Sequence, residues 1–223
     1  MSPDSDLTRP QFERSALITI DVQRDVLDGQ PLEIAGSSAA LGAMCDLAQA
    51  FRDCARPIVH IVRLYRRDGS NVDLCRREAV RQGWQALAPH SSGAQLAPGL
   101  APQEHEALNA ELLLGGGAQR LGDGEVAMYK PRWGAFYATP LREHLERLQV
   151  TTLVFCGVNF PNCPRTSIYE ASERDFRIVL ASDAISGLYA RGTRELANIG
   201  VALAPAADVI ERLRLATRRL VST

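Results

Sequence analysis

Continuous apolar, β-branched runs alternate along this chain with stretches whose apolar residues recur at helical spacing, and no other feature constrains the fold as strongly. A strand that is apolar at every position has to be covered on both faces, which points to a parallel sheet sandwiched between helices. SALITID (Ser15 to Asp21) reads as a buried first strand. Ser38 to Arg56, with Leu41, Met44, Leu47, Ala48 and Phe51 on one face, reads as a helix closed before Pro57, and PIVHIVR (Pro57 to Arg63) as the second strand. Glu125 to Lys130, Thr152 to Gly157, Phe176 to Ala181 and Val201 to Leu203 predict further strands, with helices at about 139–149, 163–174, 191–199 and 206–220. Right-handed crossovers turn this order into an α/β fold, a three-layer αβα sandwich around a doubly wound, mostly parallel, Rossmann-like sheet.

No internal repeat or low-complexity linker divides the 223 residues, so they read as one domain, 1–223. The segment from Leu64 to Gly124 stands apart as a long insertion rich in Gly, Pro and Arg, with only one or two weakly amphipathic helices. Insertions of this kind serve as lids or subunit contacts, and a homo-oligomer, dimer or tetramer, is expected. With 25 basic and 26 acidic residues the chain has no global field for nucleic acid or an anionic membrane, so the expected partner is a small-molecule substrate. The longest apolar runs fall far short of the roughly 18 residues that span a bilayer. MSPDSDLTRPQ lacks the apolar core of a secretory signal, which makes the cytoplasm the expected compartment. Cys45, Cys54, Cys75, Cys156 and Cys163 are odd in number and lack CxxC spacing, as expected of reduced thiols.

Ligands of such sheets bind beyond the carboxyl ends of the strands, at the topological switch point. Three strand ends carry unusual polar groups: Asp21 closes the first strand, Lys130 closes EVAMYK, and Cys163 follows TLVFCG within GVNFPNC. If Cys163 or Asn162 is the N-cap, Pro164 falls at N1 and the next helix begins at the thiol. The helix dipole and a nearby ammonium are then expected to lower the thiol pKa from its usual value of about 8.5, which favours a nucleophile. Taken singly, the same residues also fit a helix cap, a solvated strand end and a small buried hydrophobe.

DVQRD, YKPRWGAFYATPL and LVFCGVNFPNCPRTSIYEASERDFRIVLASDA together resemble the isochorismatase-like cysteine hydrolases, in the order Asp, Lys, Cys. The resemblance covers nearly the whole chain and is weakest between about residues 64 and 124. It implies that Asp21 is the general base, that Lys130 supports the thiolate and Asp21, and that Cys163 attacks a carbonyl to give a covalent thioester-type intermediate. It also implies a cis peptide between Val158 and Asn159, with the backbone N–H groups of Asn159 and Cys163 aimed at the oxyanion. Isochorismatases proper cleave a vinyl ether and typically lack the cysteine, so Cys163 favours hydrolysis of a C–N bond in a small amide, ureido or imide substrate. The alternatives are that vinyl ether chemistry or a catalytically degenerate member that only binds a small ligand; a redox pair of Cys163 and Cys156 needs their sulfurs within bridging distance.

The chain departs from the family around the nucleophile, where Phe160, Pro161 and Asn162 precede it and Pro164 and Arg165 follow. HIVRLYRRDGS offers only His60 where nicotinamidases carry an Asp-x-His and a second His, so neither metal nor cofactor is expected. Phe160, Trp133, Phe136 and Arg165 are the expected substrate-binding side chains. Cys156 and His60 fit the core better than a mechanism. Gly115 to Gly117 lack the Lys-Ser/Thr of a phosphate loop and read as a turn. Arg63, Arg66, Arg67, Arg76, Arg77 and Arg81 form a basic run that reads as a solvated face or inter-subunit salt bridges, with one arginine able to reach the site.

Overall fold

The structure, a computed structural model, describes residues 6–221; residues 1–5 of the acidic N-terminal stretch lie outside the described residues. Seven strands make one sheet: β1 (Ser15–Ile20), β2 (Ile58–Val62), β3 (Ala118–Gly122), β4 (Glu125–Tyr129), β5 (Thr152–Gly157), β6 (Arg177–Ile185) and β7 (Ala202–Ala204). They lie in the order β3-β4-β2-β1-β5-β6-β7, all parallel except β3, which pairs antiparallel with β4. The helices are α1 (Ser37–Asp53), α2 (Arg77–Arg81), α3 (Ala110–Leu114), α4 (Leu141–Arg147), α5 (Cys163–Ser172), α6 (Ala190–Asn198) and α7 (Ala206–Val221). Among the described residues no helix is long and apolar enough to cross a membrane.

Every residue of β1, β2 and β5 is buried, as their continuous apolar runs require. Side-chain alternation divides β1 between two cores. Leu17 packs with Met44, Leu47 and Phe51 of α1 and Leu213 of α7. Ala16, Ile18 and Ile20 pack with Leu141 and Leu145 of α4, Ile168 of α5 and Leu196 of α6. Truncating one of these leucines to alanine costs about 2–5 kcal/mol.

Helix α1 is held at its start by Asp28, whose carboxylate accepts the Gly36 and Ser38 N–H groups at 2.9 and 2.8 Å. It ends at Asp53, three residues short of the expected Arg56, with Pro57 opening the way into β2. The edge strand β3 lies inside what the sequence presented as an irregular insertion. Its hairpin turns at Asp123-Gly124, with Gly124 at φ +68°. The insertion otherwise has a three-residue 3-10 turn, Leu74–Arg76, and the five-residue helices α2 and α3.

One polar chain crosses this core. Thr19 and His60 Nδ1 are 2.8 Å apart, His60 Nε2 and Glu125 Oε1 are 2.7 Å apart, and Arg52 grips both Glu125 oxygens at 2.7 Å. Burial pushes the His60 pKa down despite the neighbouring carboxylate. Burial also works against the Glu125 charge, but Arg52 and His60 outweigh it and hold its carboxyl at about 2. His60 is thus a satisfied core histidine.

Candidate active site

The chain crosses from one half of the sheet to the other between β1 and β5, and the carboxyl ends of these two strands carry Asp21 and the loop to Cys163. The strands approach closely here. A Cβ on Gly157 would stand 2.3 Å from the Ile20 carbonyl oxygen, and Gly157 has φ +132°, so only glycine fits. Asp21 itself turns out of β1 with φ +55° while its N–H donates to the Ile61 carbonyl at 2.8 Å. A left-handed backbone at a non-glycine residue costs about 1–3 kcal/mol, and the paired N–H holds it in place.

Lys130, beyond the end of β4, is fully buried, and its Nζ donates to Asp21 Oδ2 at 2.8 Å. Its second bond runs to the Arg132 carbonyl at 3.3 Å. The other Asp21 oxygen, Oδ1, is buried without a hydrogen bond of ordinary geometry. Cys163, only 8% exposed, is the neighbour that feels both charges. Asn162 is the N-cap of α5, Cys163 is its first residue and Pro164 its second, one place later than the N1 expected for the proline.

The thiol departs from the expectation of a lowered pKa. Burial pushes it up to about 12, the Asp21 carboxylate adds to that rise, and Lys130 only partly opposes it. At neutral pH Cys163 is therefore a protonated thiol under the influence of the Asp21 carboxylate. The Val158–Asn159 peptide is cis. The N–H groups of Asn159 and Cys163 find no acceptor among the described residues.

The cleft above the thiol is lined by Asp21, Arg63, Tyr65, Arg76, Trp133 and Asn162, with Val26, Leu32, Ile34, Leu87, Val158 and Asn159 completing the wall. Its free space is about 30 Å³, room for about two water molecules. Of the expected substrate-binding residues, Trp133 lines it and three others do not. Phe160 is fully buried because its N–H is fastened to the Ser186 carbonyl, and its ring packs edge-on against Tyr189 at 5.4 Å. Phe136 is tied by its N–H to Glu170 and packs on Phe176 and Arg174. Arg165 bonds the Tyr189 hydroxyl and Glu195, both at 2.6 Å, and does not line the cleft.

Two arginines of the basic run reach the site instead. Arg63 follows β2 and is buried, with bonds to the Lys130 and Arg132 carbonyls, the Tyr65 hydroxyl and Asp73. Burial works against its charge, but Tyr65, Asp21 and Asp73 raise its pKa overall. Gln23 locks this corner, accepting the Arg63 N–H at 2.8 Å and donating to the Arg63 and Ala94 carbonyls. The strand-end rule that singled out Asp21 and Lys130, applied to β2, points to Arg63 as well. Nothing in the local sequence singles Arg76 out from the rest of the basic run, and nothing marks Tyr65 or Leu87. Among the described residues no three His, Cys, Asp or Glu side chains are grouped to hold a metal ion.

The model of the Isochorismatase domain matches residues 15–110 and 115–211. The chain belongs to the isochorismatase family. Within it, the chain is 24% identical over 200 residues to a "Probable inactive nicotinamidase" of Arabidopsis thaliana, covering 86% of this chain and 92% of that protein. The crystal structure of an isochorismatase family protein from Desulfovibrio vulgaris superposes with a TM-score of 0.76 at 26% identity, covering 90% of this chain and 98% of that one. N-carbamoylsarcosine amidase from Thermoplasma acidophilum shares the fold, with a TM-score of 0.68 at 17% identity over 86% of this chain and 96% of that one.

Proposed function

We propose that this isochorismatase-family hydrolase cleaves a C–N bond of a small amide, ureido or imide substrate, with Cys163 as nucleophile, Asp21 as general base and Lys130 as the counter-ion that fixes Asp21. The observation that carries this reading is the division of labour on Asp21: Lys130 holds Oδ2, Oδ1 is left without a partner of ordinary geometry, and the carboxylate acts directly on the Cys163 thiol. A thiol held near pKa 12 reacts when its proton leaves as the C–S bond forms, and a fixed carboxylate acceptor supports that coupling.

In the first half-reaction Asp21 takes the Sγ proton, sulfur bonds to the carbonyl carbon, and the oxyanion forms towards the unpaired N–H groups of Asn159 and Cys163. The C–N bond then breaks, its electron pair stays on nitrogen, and Asp21 returns the proton to the leaving amine or ammonia. In the second half-reaction Asp21 takes a proton from water, the hydroxyl oxygen adds to the thioester carbon, the C–S bond then breaks with its electron pair staying on sulfur, and Asp21 returns the proton to Sγ as the acid leaves. Lys130 keeps Asp21 oriented in both halves.

A panel of small amides, ureido acids and imides, read by ammonia release, tests this function. Release by the wild type and none by Cys163→Ala supports it. Retained turnover by Cys163→Ala assigns the reaction to Asp21-assisted attack by water with no covalent step. The name of the Arabidopsis relative favours one second reading, a member that binds a ligand without turnover. Saturable ligand binding with no covalent adduct on Cys163 by mass spectrometry would support that reading.

A further inference from the structure

The cleft carries a charge that C–N hydrolysis itself does not use. Asp21 and Lys130 neutralise each other, and so do Arg63 and Asp73. Arg76, which ends the turn before α2, adds a third cation to these groups. The carboxylate nearest to it is Asp73 at 3.9 Å, already engaged by Arg63. The charged groups that line the cleft, with their direct partners, therefore sum to one positive charge.

Arg76 is also held in a receptive posture. Its guanidinium carbon lies 5.2 Å from the centroid of the Trp133 ring and 5.8 Å from that of Tyr65, and Nη1 bonds the Tyr65 hydroxyl. Contact with two rings and the bond to the Tyr65 hydroxyl hold the guanidinium in place before any ligand arrives. Among the described residues Nε and Nη2 have no acceptor, and the side chain keeps 26% exposure. Those two donors present the planar edge that matches a carboxylate. Val26, Leu32, Ile34 and Leu87 give the cleft apolar lining. A neutral substrate leaves the Arg76 charge without a counter-ion, and a dianion exceeds the surplus.

We infer that Arg76 is a specificity residue that pairs with a carboxylate of the substrate, so that the cleft takes small monoanionic amides, ureido acids or imides with a compact apolar body against Trp133. The reaction class rests on the function proposed above; the carboxylate pairing is tested without it. Iodoacetate and iodoacetamide differ in charge at similar size, and both alkylate thiols. Their second-order rates at Cys163, measured at pH 8.5 by mass spectrometry, give an anion-to-neutral ratio to set against that of free N-acetylcysteine. A ratio cancels any general change in thiol reactivity.

The ratio at Cys163 is expected to exceed that of the free thiol by about tenfold, the scale of one charge-assisted hydrogen bond. It should fall to the free-thiol level in Arg76→Gln and stay intermediate in Arg76→Lys, with circular dichroism confirming the fold of each variant. A wild-type ratio equal to that of the free thiol, or one unchanged by Arg76→Gln, overturns the inference. If neither reagent labels Cys163, the nucleophile reading fails, and thermal shift with benzoate against benzamide decides the role of Arg76. A benzoate-specific rise in Tm that Arg76→Gln abolishes upholds it, and no rise or an equal rise in both proteins overturns it.

Discussion

Lys130 Nζ and Asp21 Oδ2 meet at 2.8 Å across 109 positions of sequence, at the ends of two strands with β2 between β4 and β1. With Lys130 fully buried and Asp21 nearly so, each is the condition for the other's charge. Lys130→Met therefore leaves an uncompensated carboxylate in the core. We predict a stability loss of about 3–5 kcal/mol by urea unfolding, and loss of turnover in the fraction that remains folded. Unchanged stability would mean that Asp21 finds another partner.

Two of the three buried cysteines separate scaffold from chemistry. Cys163→Ala should abolish turnover at little cost in stability, because the sulfur faces the cleft. Cys156 is fully buried within β5, so Cys156→Ala should lower stability by about 1 kcal/mol and leave activity per folded molecule intact. Ammonia release alongside thermal melting distinguishes these outcomes, and turnover by Cys163→Ala refutes covalent catalysis.

Asp21→Asn is expected to uncouple thiol reactivity from turnover. After burial, the Asp21 carboxylate is the chief cause of the raised Cys163 pKa, and Lys130 opposes it. Replacing the carboxylate with an amide leaves the ammonium and lowers the pKa, so iodoacetamide labelling at pH 7 should be faster than in the wild type. Turnover should vanish, because an amide does not accept the thiol proton. In the wild type, labelling should rise steadily from pH 7 to 9. Slower labelling in Asp21→Asn would remove Asp21 as the cause.

The Thr19, His60, Glu125 and Arg52 chain should make the fold acid-labile in two stages. His60 has a lowered pKa in the fold, so below about pH 6.5 the unfolded chain gains a proton that the folded chain refuses, and stability falls as pH falls. Glu125 contributes stability fully present above its ordinary value of 4.5 and lost as pH falls towards 2, about 3 kcal/mol in all. Urea midpoints measured from pH 7 to 3 test this. Glu125→Gln should flatten the lower stage, and a flat wild-type profile would refute it.

Activity should survive dialysis against a chelator, since every step above uses Asp21, Lys130, Cys163 and backbone N–H groups. Loss of turnover with EDTA and its return with a divalent ion would overturn that mechanism.

The sequence by itself determined the parallel strands of the sheet and half of the site. Apolar runs in β1, β2 and β5 announce strands buried on both faces, because only a two-sided cover removes every side chain from water. The strand-end rule then places Asp21, Lys130 and the Cys163 loop on one edge, since parallel strands bring all their carboxyl ends to the same side of the sheet. Strand β3 was hidden because an edge strand alternates exposed and buried residues, and AQRLG carries too little apolar signal to stand out from its loop. Only the tertiary structure decided the walls of the cleft. Phe160 lies three residues from the nucleophile yet turns inward, because its N–H is tied to the end of β6. Arg76 lies far from Cys163 in sequence yet faces the cleft, because Tyr65 and Trp133 clasp it there. The charge of the thiol was likewise beyond sequence reach. A helix start and a nearby lysine favour thiolate, but burial and the Asp21 carboxylate outweigh them, and both are properties of packing.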